Sequence, residues 1–111
     1  MAQQSGVLKV LNGVVPIALV KDWNGAAGVE YGPKGEDGNT ASSGTVIFEG
    51  TVSSLAWYPL KIVLPDGSKV DFLSAPGIGW VEVTGYNAAR ARMTVVGGAQ
   101  GVRVFSNPQQ G

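Results

Sequence analysis

The chain has 111 residues, enough for one domain around a single core, and 44% of them are hydrophobic. Its eight basic and eight acidic residues cancel, which speaks against a nucleic-acid partner, whose phosphates are met by clustered positive charge. It contains no cysteine and no histidine, so disulfides, thiolate metal sites and the commonest general base are missing; we expect no enzyme, no cofactor and no catalytic or metal-binding residues.

Met1 to Gly6 lack the basic region and following apolar run of a secretion signal. Val7 to Leu11, Asn12-Gly13 and Val14 to Val20 read as a hairpin, because an Asn-Gly pair between apolar runs supplies two residues that tolerate positive φ. The run Val14 to Val20 holds Pro16 and is far shorter than the roughly 20 residues needed to span a bilayer, so no membrane partner is expected. Pro16 cannot donate to a strand ladder, which places its strand at a sheet edge or a bulge. Residues 1–23 therefore form an arm able either to fold back on its own sheet or to reach a neighbour. Val14, Pro16, Ile17 and Trp23 are its candidate contact residues.

Residues 24–44 are polar and rich in glycine and read as a long loop. Glu36, Asp37 and Asn39 within it resemble a fragment of a calcium loop, but no bidentate Glu closes it, and a solvated loop is expected. Gly and Pro, spread along the whole length, punctuate the sequence at about the eight-to-twelve-residue spacing of a sandwich or barrel, and residues 45–105 read as the sandwich core. Val46, Phe48 and Val52 point to one face, with Phe48 in the core, while Ile47, Glu49 and Thr51 point to the other. Trp57, beside Pro59, reads as core filler. Leu60, Ile62 and Leu64 share a face, and Pro65-Asp66-Gly67 turns the chain back into Lys69 to Leu73. Gly77-Ile78-Gly79 reads as a turn.

Three alternating strands follow. Val81 and Val83 alternate with Trp80, Glu82 and Thr84, Ala91, Met93 and Val95 with Arg90, Arg92 and Thr94, and Val102 and Val104 with Arg103 and Phe105. If these strands are neighbours in one sheet, Glu82 lies across from Arg90, Arg92 or Arg103. Such a ladder is either a surface feature worth under about 1 kcal/mol per pair or, with Trp80, a partner-binding arginine cluster. Residues 106–111 form a tail. The fold expected is all-β: a single-domain antiparallel β-sandwich or barrel-like fold with an N-terminal hairpin arm and a glycine-rich loop. Residues 1–56 carry three basic and five acidic groups and residues 57–111 the reverse, so head-to-tail contacts between copies are weakly complementary.

The run Gly44-Thr45-Val46-Ile47-Phe48-Glu49-Gly50-Thr51-Val52, followed by Trp57-Tyr58-Pro59-Leu60, resembles a pattern of small β-sandwich domains in structural proteins of tailed bacteriophages. There a strand ending in Phe-Glu-Gly leads through a turn to Trp-x-Pro-Leu. Gly79 to Tyr86, Arg90 to Met93 and Gly101 to Val104 continue the similarity in the same order. The resemblance implies a virion protein. For a free-standing chain of this size it implies a capsid decoration, or cement, protein, often a homotrimer, that clamps the major capsid protein on the outer capsid surface after synthesis in the host cytoplasm. A tail or baseplate subunit is the alternative within that class. Outside it, exposed Trp23 or Trp80 offers a stacking platform for a host glycan, as in an adhesin.

Overall fold

The computed structural model of the chain describes residues 4–17 and 26–109. Alternating apolar and polar residues build ten strands: β1 (Gln4–Leu8), β2 (Val14–Pro16), β3 (Ala26–Tyr31), β4 (Gly44–Thr51), β5 (Tyr58–Leu60), β6 (Ile62–Val63), β7 (Lys69–Val70), β8 (Gly77–Glu82), β9 (Ala88–Val96) and β10 (Val102–Gln109). They pair into two antiparallel sheets, one of six strands in the order β1-β10-β3-β8-β6-β7 and one of four in the order β2-β9-β4-β5. Each sheet turns one face inward. Leu8, Ala27, Val29, Tyr31, Ile62, Val81, Val102 and Val104 from the first meet Val46, Phe48, Leu60, Ala89, Ala91 and Met93 from the second in a single buried cluster. Phe48 is 1% exposed, as the alternation of β4 requires.

The fold is a β-sandwich, and its strand order specifies which kind. With the β6–β7 hairpin set aside, two sheets of four remain, β1-β10-β3-β8 and β2-β9-β4-β5. Successive strands mostly alternate between them, which is the arrangement of a jelly roll. This explains why several expectations about neighbours fail. Asn12 does adopt the left-handed conformation (φ 64°), but β1 pairs with β10 and β2 with β9. The Asn12-Gly13 turn is thus an arch from sheet to sheet, not the tip of a one-sheet hairpin. Likewise β8 and β10 lie in the six-stranded sheet and β9 in the other, so Glu82 does not face Arg90 or Arg92.

Residues 24–44 are not one loop, because β3 lies within them, paired to β10 on one side and β8 on the other. Ala26, Ala27 and Gly28 have low strand propensity, yet Ala27, Val29 and Tyr31 are buried and Tyr31 donates from its hydroxyl to the Gly44 carbonyl at 3.0 Å. Tertiary burial overrides the local preference. The loop that remains is closed by Asp37, whose carboxylate accepts from the backbone N–H groups of Asn39 and Thr40, both at 2.8 Å, and from the Thr40 hydroxyl at 2.6 Å. Those oxygens serve the turn, and among the described residues no group of three or more Asp, Glu, Cys or His is placed to hold a metal ion. Gly77-Ile78-Gly79 is the start of β8, not a turn. Pro65-Asp66-Gly67 is a turn, with Gly67 at φ 89° and its N–H donating to the Leu64 carbonyl at 2.8 Å.

Proline marks both edges of the smaller sheet, Pro16 on β2 and Pro59 on β5. Lacking a backbone N–H, each interrupts the row of donors that another strand would pair with.

Candidate interaction faces

The outward side of the four-stranded sheet carries a chain of side-chain contacts. Arg90 and Arg92 stand two apart on β9 and so project from the same face. In register, Arg90 lies between Pro16 of β2 and Glu49 of β4, and Arg92 between Val14 and Ile47. The Glu49 carboxylate accepts from Arg90 Nε at 3.0 Å and Arg92 Nε at 3.1 Å through Oε1, and from Arg92 Nη2 at 3.2 Å through Oε2. Arg92 Nη1 also donates to Asn12 Oδ1 at 2.7 Å. Arg90 lays its guanidinium over the Trp57 ring, 3.9 Å from the centroid. The sequence Trp57, Arg90, Glu49, Arg92, Asn12 therefore runs across the sheet from the β4–β5 turn to the β1–β2 arch.

Electrostatics hold this row together. The Glu49 side chain is only 8% exposed, whereas Arg90 and Arg92 are 25% and 27% exposed. Burial works to raise the Glu49 carboxyl, but hydrogen bonds and charge from Arg92 and Arg90 outweigh it and hold the group below the usual carboxylate range. Two guanidiniums sharing one carboxylate leave the cluster with one net positive charge.

Trp57 thus lies on the outer face, half-buried under Arg90, not in the core. Its neighbour Pro59 is on the outward side of an edge strand with Glu49 opposite, so no interior site faces the ring. Ile17 is not a contact residue, for it is 4% exposed and belongs to the core. Trp23 lies outside the described residues.

The remaining candidates occupy the opposite, outer face of the six-stranded sheet. Trp80 is half-buried there, beside Phe105, Ile78, Glu30 and Asn107 instead of the arginines. Glu82 accepts from the Thr84 backbone N–H at 3.1 Å and from its hydroxyl, a local turn contact. Arg103 reaches back to the glycine-rich loop, donating to the Gly35 carbonyl at 2.9 Å and the Glu36 carbonyl at 3.2 Å. It anchors that loop, while Ser42 and Ser43 accept from the backbone N–H groups of Arg103 and Gly98.

Sequence reasoning passed over an apolar end. Val10, Leu11, Val95 and Val96 are 61%, 60%, 56% and 47% exposed, and backbone hydrogen bonds between Asn12 or Gly13 and Met93 hold the arch beside the end of β9. The signal was present in the apolar run Val7 to Leu11, which the Asn12-Gly13 pair assigned to a hairpin strand, while alternation placed Val95 on the apolar face of its strand. Comparison of this chain with family models, with curated proteins and with solved structures gives no match.

Proposed function

We propose that this chain is a structural virion protein that decorates the outer surface of a phage capsid and stabilises it by bridging subunits of the major capsid protein, as a homotrimer. The observation that carries the reading is the row Trp57, Arg90, Glu49, Arg92, Asn12 on the outer face of the smaller sheet. Arginine and tryptophan are the residue types that dominate interface hot spots. Here they are fixed by Glu49 before any partner arrives, so docking gives up less side-chain freedom. The flanking Val14 is 47% exposed, and Pro16 is exposed beside it, which supplies apolar area around the charged centre.

Bridging requires a second contact on the same molecule, and the apolar end formed by Val10, Leu11, Val95 and Val96 supports one. The prolines on β2 and β5 oppose attachment by strand addition to the smaller sheet. Contact through a face and an end is weak per copy, and multiplication over a symmetric shell makes it strong. The resemblance of the segments from Gly44 to Val104 to phage structural domains gives the partner class.

Labelled protein imaged on cognate virions, with separated heads and tails as controls, tests the assignment. Label distributed over the head is the expected result, and label confined to the tail overturns it in favour of a tail or baseplate subunit. Light scattering of the free protein is expected to give three times the 11.4 kDa of one chain. A monomeric mass both free and after cross-linking on the shell would remove the trimer.

A further inference from the structure

The outer face of the six-stranded sheet contains a hollow of about 260 Å³. Its floor is Gly28, which in register lies between Asn107 of β10 and Trp80 of β8. One step along β3 on the same face, Glu30 lies between Phe105 and Ile78. A glycine at the centre of a strand triplet contributes no side chain, so the neighbours stand as walls around an open space. Trp80 and Phe105 are half-buried and Ile78 is 47% exposed.

Two polar side chains of the hollow, Glu30 and Asn107, are available to a ligand. Glu30 is half-buried, and among the described residues neither its carboxylate nor the Asn107 carboxamide has a hydrogen-bond or ion-pair partner. Among the described residues no lysine or arginine lines the space, and the nearest arginine on β10, Arg103, is committed to the carbonyls of Gly35 and Glu36.

These features select a ligand by chemistry. Among the described residues an anion meets a carboxylate and no cation, and a wholly apolar ligand covers Glu30 without offering it a donor. A pyranose ring presents an apolar C–H face to stack on an aromatic side chain and an equatorial rim of hydroxyls to donate to a carboxylate and exchange bonds with an amide. The volume suits a ligand smaller than the drug-sized molecules that fill larger clefts. We propose that this hollow is a glycan-binding site for a neutral pyranose, stacked on Trp80 or Phe105 and oriented by hydroxyl hydrogen bonds to Glu30 and Asn107. It faces away from the Glu49 cluster, so it stands or falls independently of shell docking.

The test is an NMR titration of the isotope-labelled full chain with maltotriose, chitotriose and, as the anionic control, sialyllactose, preceded by a glycan array to widen the panel. The expected result is that a neutral oligosaccharide shifts the Trp80 indole and Gly28 amide signals with a Kd of about 1 mM or tighter. Sialyllactose is then weaker. Glu30→Gln, which keeps the shape of the side chain, weakens binding about tenfold, and Trp57→Ala on the other face leaves it unchanged. Because the shifts are read on the unaltered protein, the outcome does not depend on any variant folding. Absence of a neutral-glycan response on both array and titration overturns the proposal, as does binding that prefers the sialylated ligand, shifts signals only elsewhere, or is indifferent to Glu30→Gln.

Discussion

Glu49 is one carboxylate between two guanidiniums, and its replacement separates charge from shape. Glu49→Gln leaves Arg90 and Arg92 facing each other without a counter-charge, while the row from Trp57 to Asn12 keeps its length. Because both arginines keep contact with water, we expect a loss of about 1–3 kcal/mol at pH 7 in urea unfolding, below the range for fully buried pairs. The pH dependence follows from the direction of the shift. The folded-state pKa of Glu49 lies below its unfolded value of about 4.3, so its stabilisation is complete above that pH and disappears as pH falls through the folded value. Asp37 and Asp66, held low by hydrogen bonds from Thr40 and Asn39 and from Ser68, change in the same direction. The gap between wild type and Glu49→Gln should therefore narrow from pH 7 to pH 3. An equal gap at both pH values would show that Glu49 acts through packing alone.

At the scale of elements, two glycines with similar backbone angles separate conformation from packing. Gly38 has φ +73° with nothing within 4 Å of an added Cβ, whereas Gly101 has φ +65° and its Cβ would lie 2.2 Å from the Leu8 carbonyl oxygen. Gly38→Ala should cost about 1 kcal/mol for the left-handed conformation. Gly101→Ala should cost at least about 3 kcal/mol, because the start of β10 must also move off β1; comparable losses in urea unfolding would contradict the close approach. Much of β4 and β10, the Pro65-Asp66-Gly67 turn and the burial of Phe48 could be read from alternation and turn chemistry. What could not be read is which sheet a strand joins. Alternation shows that Glu82, Arg90 and Arg103 each oppose an apolar neighbour, yet gives no partner strand, and a jelly roll sends consecutive strands to different sheets. For the same reason Glu49 was visible as outward-facing, while its arginines emerged only with the β4–β9 register. β3 was missed because Ala26-Ala27-Gly28 carries little strand propensity and owes its place to Val29 and Tyr31.

The whole molecule is a two-sheet sandwich with two unlike outer faces and an apolar end. The smaller sheet presents fixed arginines and Trp57, the larger an aromatic hollow whose carboxylate has no partner among the described residues, and prolines guard both edges of the smaller sheet. On the proposed function one face meets the shell and the other meets solvent, and substitutions on the two faces should then have separable effects. The most direct measurement is the melting temperature of cognate shells with saturating wild type, Trp57→Ala and Trp80→Ala, each variant first shown to be folded. The account predicts that wild type and Trp80→Ala raise the shell transition alike while Trp57→Ala raises it less or not at all. No rise with wild type, or a loss confined to Trp80→Ala, would contradict it.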